Sequence, residues 1–433
     1  MKAKQVFNNA KWIIACKIVQ SIMQLIIGMI SARYLGPSNY GLISYAASIV
    51  AFALPIMKLG LDAVLVHELV ESPHKEGEIM GTSLMLNTIS SFLCISVVSL
   101  ISTLLNLGEK ETIIVCVIYS ISIFFAALEM MQYWFQYKLL SKYSSVIMLV
   151  AYLFVSAYKI YLLASAKSVY WFAFSHSVEY GFIGILLIVF YFKNDGNRLS
   201  FSWKRAKKML AKSKHYIFAA LMVVIIQNTD HIMLTSMSGK AENGFYSAAI
   251  TSAAVVQFVF TAIMDSFRPL ILSSKKTDEI EYEKNMSGLY SIITYLSLAQ
   301  SIAFTIFAPL IIKILYGADY SAAVPVLRIL TWYCAFSYMG TIRNIWLLAE
   351  QKQKFLPIIN LCGVVFNIVL NAILIPFYGA IGAAFASFVT QFMMNFVLGF
   401  IIKPIRRNNQ LLMRSLNPKF FLAEVKKYIR KEQ

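Results

Sequence analysis

The 433-residue chain is 59% hydrophobic, 14% charged and 14% aromatic, and its 39 Lys and Arg against 21 Asp and Glu leave a formal net charge of +18. Soluble proteins carry about a quarter charged residues, so a soluble enzyme, a secreted disulfide scaffold and a disordered tail are excluded, and a polytopic membrane protein remains. The basic excess is then weighed first as membrane topology, and nucleic acid is not an expected partner.

A bilayer crossing takes about 20 apolar residues. Twelve such stretches run along the chain, at 12–32, 41–58, 84–105, 112–132, 145–164, 169–192, 216–237, 245–267, 288–314, 325–348, 355–376 and 378–402. The first is too long for a signal-peptide core and lacks a small-residue cleavage site, so it reads as a retained span. With the N-terminus placed in the cytoplasm, thirty Lys and Arg fall on the cytoplasmic side. Four (Arg33, Lys110, Lys167, Lys240) fall on the other side, and five (Lys17, Lys159, Lys313, Arg328, Arg343) lie within spans. The positive-inside rule therefore places both termini in the cytoplasm, with added attraction of the basic segments to anionic lipid.

The basic, polar interruption at 193–215 divides the spans six and six, and an internal echo supports the division. The second span opens Gly41-Leu42-Ile43-Ser44-Tyr45-Ala46-Ala47 and the eighth opens Gly244-Phe245-Tyr246-Ser247-Ala248-Ala249, 203 residues on. Because each half has an even number of spans, the copies share one orientation, as parallel repeats do. The expected organisation is an N-terminal lobe at 1–195, a basic linker at 196–215, a C-terminal lobe at 216–402 and a basic tail at 403–433. The expected fold is all-α, with twelve transmembrane helices in two six-helix lobes around a central cavity. The outer loops are a few residues long, so the chemistry belongs between the helices.

Polar residues recur at helical spacing inside the spans, where an ionised group costs roughly 2.5–3.5 kcal/mol at a helix centre. Lys17, Gln20, Gln24, Gly28 and Ser31 share one face of the first span; Tyr152, Ser156 and Lys159 share one of the fifth. Glu129, Gln132 and Gln136 align in the fourth span, and Asp230 and His231 follow Gln227 and Asn228 in the seventh. Gln257, Thr261 and Asp265 align in the eighth, while Asn360, Asn367 and Asn371, then Ser387, Gln391 and Asn395, mark the last two. Amides of this kind also serve as interhelical glue. Lys17, Lys159 and Arg328 sit deepest; Lys313 and Arg343 lie nearer span ends, where long side chains reach the interface.

Cations in a lumen suit an anionic ligand, Arg by bidentate recognition of phosphate and Lys as a point charge. Asp62, Glu129, Asp230 and Asp265 are either their counter-ions or sites that take up a proton or Na⁺ during a cycle. Five cysteines in apolar runs and five histidines without HxxxH spacing suggest no disulfide, metal or cofactor. No GxxxxGK[ST] loop is present, so ATP hydrolysis does not drive the cycle.

Ala32-Arg33-Tyr34-Leu35-Gly36-Pro37-Ser38-Asn39-Tyr40-Gly41 resembles the signature of the polysaccharide-export flippase (Wzx-like) family. Leu59-Gly60-Leu61-Asp62, Leu315-Tyr316-Gly317 with Tyr320, and Leu374-Ile375-Pro376 followed by Tyr378-Gly379-Ala380-Ile381-Gly382-Ala383-Ala384 match it in the same order. Where many relatives have an Arg-Glu pair, this chain has His67-Glu68. The family belongs to the multidrug/oligosaccharidyl-lipid/polysaccharide exporter superfamily. The resemblance implies alternating access and no enzymatic activity. It also implies a polyprenyl (undecaprenyl) pyrophosphate-linked oligosaccharide as substrate, flipped across a bacterial cytoplasmic membrane for cell-surface polysaccharide. Membrane lipid and other polysaccharide-assembly membrane proteins are the implied partners. On that reading Lys17, Gln24, Arg33, Lys159, Arg328 and Arg343 are candidate substrate contacts. Two alternatives are a flippase for lipid-linked peptidoglycan precursor and a cation-coupled multidrug antiporter, whose cationic cargo those charges would repel. A polysaccharide polymerase would need a sizeable external loop.

Overall fold

The computed structural model describes residues 2–417, with side chains from Cys16 onward. The side chains of Lys2, Lys4 and Lys11 and the tail at 418–433, counted above with the cytoplasmic charges, lie outside the described residues. Every regular element among the described residues is helical: α1 Lys2–Lys58, α2 Leu61–Glu71, α3 Glu76–Leu105, α4 Lys110–Ser120, α5 Ser122–Ala126, α6 Gln132–Tyr137, α7 Ser141–Ala164 and α8 Val169–Lys193 come first. They are followed by α9 Trp203–Ser238, α10 Lys240–Ala253, α11 Gln257–Thr277, α12 Glu279–Tyr316, α13 Ala323–Ala349, α14 Leu356–Phe392, α15 Leu398–Ile401 and α16 Arg406–Ser415. Eight helices among the described residues are long and apolar enough to cross a membrane, or nine if α10 and α11, bent by 46°, form one span. Two of the eight, Cys16–Glu71 and Gln353–Ile401, each contain two of the expected stretches joined at a kink.

Those kinks are glycines in backbone regions that a side chain disfavours. Gly36, with φ 71° and ψ 170°, breaks α1 just before Pro37. Gly379, at φ 52° and ψ −131°, breaks α14. Around the second break, Gly382 approaches Leu374 O so closely that a methyl group would overlap it. Large apolar side chains such as Leu93, Ile306, Leu310 and Phe377 remain exposed along the helices, a band suited to lipid rather than water.

By contacts the chain forms two compact units, Met1–Gly244 and Phe245–Gln433. The expected linker at 196–215 is thus structured with the first unit. Residues 197–202 run over α3 where Gly77 and Gly81 leave room: Ser200 N–H donates to Gly77 O at 3.1 Å and Ser202 N–H to Thr82 Oγ1 at 3.1 Å. Ser202 then caps α9, its hydroxyl accepting from Arg205 N–H at 3.3 Å. Arg205 and Ser213 bind back to Glu68 (3.2 Å) and Leu59 O (2.7 Å).

At its other end the first unit closes on two glycines. A side chain on Gly41 would overlap Lys240 O and Gly244 N, and one on Gly244 would overlap Pro37 O. These are the glycines that open the repeated segments. Asn243 secures the approach, donating from Nδ2 to Gly41 O (2.8 Å) and bonding through Oδ1 to His231 Nδ1 (2.7 Å). In the second unit Trp346, Tyr282, Tyr290 and Tyr320 are fully buried, and the Tyr290 hydroxyl donates to Asn408 Oδ1 at 2.7 Å.

Candidate functional site

The span beginning at Lys110 is the most broken segment of the first unit. Helix α4 ends at Ser120, α5 is one turn, and a 3-10 turn occupies Ala127–Met131 before α6 resumes. Its residues are ordinary helix formers, so packing tightens it: Leu128 fills the space over Gly184 of α8, where a methyl group would collide with its side chain. Short 3-10 stretches inside longer helices often mark functional positions. This one carries Glu129, whose Oε2 lies 3.9 Å from Lys58 Nζ.

Glu129 is one end of a polar cluster inside this unit. On α8, His176, Glu179 and Tyr180 follow at i, i+3 and i+4, and the field of Glu129 reaches Glu179 and Tyr180. Lys159 of α7 and Glu179 act on each other electrostatically, and Lys159 also acts on His176. The His176 ring lies against Tyr119 of α4, centroids 4.5 Å apart and planes inclined by 33°. Tyr152, on one face with Lys159, feels Glu179. At the other end, Tyr133 of α6 lies under the combined fields of Asp62 and Glu129. Helices α1, α2, α4, α7 and α8 and the broken segment thus gather three carboxylates, two lysines and a histidine among tyrosines. Opposite charges there reduce the cost of holding each other away from water.

Of the residues singled out from sequence, Lys159, Glu129 and Asp62 meet in this cluster. Lys17, Gln24 and Arg33 are exposed on α1. Asp230 is buried in α9 beside His231. Asp265 is exposed and pairs within α11 with Arg268 at 3.7 Å. Arg328 is exposed on α13, its Nε donating to Thr305 O at 3.2 Å.

Arg343 is 4% exposed, with its charge spent inside the second unit. Nη1 donates to Met394 O and to Asn395 Oδ1, both at 2.8 Å, and Nη2 donates to Asn344 Oδ1 at 3.3 Å. Met394 and Asn395 belong to a π-helical turn, Met393–Val397, where a widened ladder frees carbonyls for an outside donor. Asn395 Nδ2 donates to Gln391 Oε1 (2.6 Å) and Phe336 O (2.9 Å), and Asn371 Nδ2 to Asn367 Oδ1 (3.1 Å). The amides of the last two spans thus bond to one another at i, i+4, and Asn395 joins its turn to α13 through Arg343 and Phe336 O.

Sequence reasoning passed over Glu179 and His176, and counted Lys58 only as a topology charge. A signal for Glu179 existed: it is the one acidic residue in the sixth apolar stretch, and an intramembrane carboxylate is a site hypothesis by default.

Kinked apolar helices with a charged interior define a multi-pass, all-helical membrane protein, and solved structures share its fold. The solved lipid II flippase MurJ in an inward closed conformation is similar, with a TM-score of 0.72 at 14% identity over 95% of each chain. So is an inward-facing multidrug resistance MATE family transporter of the MOP superfamily, with a TM-score of 0.66 at 13% identity over 92% of this chain and 96% of that one. A Pyrococcus furiosus MOP superfamily transporter, described as having a binding pocket of reverse polarity, has a TM-score of 0.60 at 13% identity, covering 94% of this chain and 96% of its own. The polysaccharide biosynthesis protein family model matches residues 30–325, and the chain belongs to that family. An uncharacterised membrane protein of Methanocaldococcus jannaschii is 25% identical over 224 residues, 50% of this chain and 43% of that protein, so the chain matches less than half the length of this curated relative.

Proposed function

We propose that the protein is a flippase that carries a polyprenyl-pyrophosphate-linked oligosaccharide from the inner to the outer leaflet of a cytoplasmic membrane by alternating access. The observation that carries the reading is the Lys159 cluster inside a chain of the polysaccharide biosynthesis family. Lys159 offers the pyrophosphate a positive charge within electrostatic reach of Glu179 and His176 on α8. Lys17, Gln24, Arg33 and Arg328, exposed on α1 and α13, are proposed as further contacts along the path of the sugar head. Arg343 is proposed to act on the substrate only through the π turn that it holds. Asp62, Glu129 and Glu179 serve as counter-ions, any of which can take a proton when the pyrophosphate displaces it from a lysine. Both termini are cytoplasmic on this reading, as the thirty-to-four distribution of Lys and Arg supports. The likeness to a lipid II flippase favours a second cargo of the same chemistry, a lipid-linked peptidoglycan precursor.

Native mass spectrometry of the detergent-purified protein separates these readings. It is incubated in turn with undecaprenyl-pyrophosphate oligosaccharide, lipid II and a cationic dye. Retention of the oligosaccharide lipid, weakened about tenfold by Lys159→Gln as for one charged hydrogen bond, supports the proposal. Retention of lipid II alone moves the assignment to the precursor. Retention of the dye alone overturns the anionic cargo altogether.

A further inference from the structure

The repeat that opens at Gly41 and Gly244 continues well past the spans. Gly36 (φ 71°, ψ 170°) and Gly239 (φ 95°, ψ 171°) adopt nearly one backbone conformation, 203 positions apart. Helix α3 starts at Glu76 and α12 at Glu279, again 203 apart. Helix α9 starts at Trp203 and α16 at Arg406, the same offset once more. The first three turns of α9, Trp203–His215, thus hold in the first half the place that α16, Arg406–Ser415, holds in the second.

The two segments also make like contacts, through cations placed 202 rather than 203 positions apart. Each presents two cations seven residues apart, two turns along one helix face: Arg205 with Lys212, and Arg407 with Arg414. In the first unit Arg205 pairs with Glu68 (3.2 Å) and Glu78 (3.6 Å), and Lys212 pairs with Glu68 and with Glu71 (3.2 Å). In the second, Arg407 pairs with Glu279 (2.6 Å) and Glu283 (2.8 Å), and Arg414 with Glu283 (3.1 Å). In the first half the acceptors are Glu68 and Glu71 on α2 and Glu78 at the start of α3; in the second both lie on the first turns of α12, where Glu279 also holds Lys275 of α11 at 2.9 Å. A second tie repeats with its polarity reversed. The Glu76 carboxylate meets Lys138, after the fourth span, at 2.6 Å, whereas Lys275 meets Glu350, after the tenth, at 2.6 Å.

The geometry points to a duplicated clamp: the repeat comprises six spans plus one basic helix. That helix pins the junction of the second and third spans, so that the end of each half moves as one body. Arg205, Lys212, Arg407 and Arg414 are positioning residues, and α16 is part of the working core rather than a tail. The positive-inside rule reads these cations as topology signal, yet carboxylates of their own half hold them. Glu68, fully buried, has cations from Arg205, Lys208 and Lys212 around it, and a buried carboxylate stripped of such partners is strongly destabilised. The inference stands whatever the cargo is.

Hydrogen–deuterium exchange on the full-length protein tests it, with Arg407→Gln/Arg414→Gln for one clamp and Arg205→Gln/Lys212→Gln for the other. The expected result is exchange about tenfold or more faster in 279–290 for the first variant and in 61–81 for the second, each leaving the other half unchanged. The charge-keeping Arg407→Lys/Arg414→Lys should retain most of the protection. Unchanged exchange in the matching segment overturns the clamp, and so does a Lys variant that exchanges as fast as the Gln variant. If a double variant does not fold, Arg414→Gln alone, which removes only the exposed partner of Glu283, gives the same reading at smaller amplitude.

Discussion

The two units bury different chemistry in comparable places. Helices α7, α8 and the 3-10 turn of the first bring Lys159, Glu179, His176 and Glu129 into one charged cluster ringed by tyrosines. Helices α13 and α14 of the second bring together Asn367, Asn371, Gln391 and Asn395 with one guanidinium, Arg343, bound to carbonyl and amide oxygens. Repeated architecture has thus been filled with titratable groups in one copy and neutral hydrogen bonds in the other. The contrast separates residues able to change partners during a cycle from residues that hold helices in place. A lysine facing a carboxylate can exchange it for a phosphate. An arginine donating from Nη1 and Nη2 to three oxygens of its own unit is held in place, with only Nε left without a partner among the described residues.

Arg343→Gln is expected to cause the largest effect on stability. It removes charge-assisted hydrogen bonds worth roughly 1.5–3 kcal/mol each before compensation and leaves Met394 O without its donor. We expect a loss of about 3 kcal/mol, seen as a lower melting temperature in detergent, with anionic-lipid binding per folded molecule unchanged. Lost binding with an unchanged melting temperature would show that Arg343 touches cargo and erase the contrast between the units.

Glu179→Gln should show the opposite pattern. Removing a carboxylate whose field acts on Lys159 leaves the lysine freer for an anion, so retention of a pyrophosphate lipid should rise about tenfold, while Lys159→Gln lowers it by as much. Melting temperature should fall less than for Arg343→Gln in either case, because other charged groups of the cluster still offset part of the charge left behind. Equal falls in binding for the two variants would mean that the pair acts only as a brace. Glu129→Gln is expected to have a smaller effect in the same direction as Glu179→Gln, since its nearest cation, Lys58, lies at 3.9 Å and is partly exposed.

The skeleton of this contrast was readable from residue order alone, and its chemistry was not. Gly36-Pro37 and the repeated Gly41 and Gly244 announce their turns and close approaches because glycine there answers a local backbone demand. The apolar stretches map onto helices for the same local reason. Glu179 needed α7 alongside α8 before its relation to Lys159 could be seen. The 3-10 turn at Glu129 sits where Leu128 packs over Gly184, 56 positions away, and nothing in the order of residues brings the two together. Arg205 was tallied as a cytoplasmic charge because the positive-inside rule counts cations without asking which carboxylate they meet. The partners of Arg343 are not legible in the order of residues, because nothing there shows a π turn that accepts from it.

The smallest effect separates a buried ion pair from an exposed one. Burial alone would raise the Glu350 carboxyl, but the hydrogen bond and charge of Lys275, with Lys352 nearby, hold it below the usual carboxylate range. Glu109, which accepts from Thr112 and Lys240, is also held low, though its side chain is 55% exposed. A carboxyl depressed in the folded state contributes stability that is complete above its unfolded value, about 4.3, and is lost as pH falls through its folded value. Glu350→Gln should therefore lower the melting temperature at pH 7, and the gap to the unsubstituted protein should close as the pH is brought below about 4. Glu109→Gln should leave a barely measurable gap at either pH, because solvent screens its pair. A pH-independent gap for Glu350→Gln would mean that the side chain matters there for its packing over Tyr282 and not for its charge.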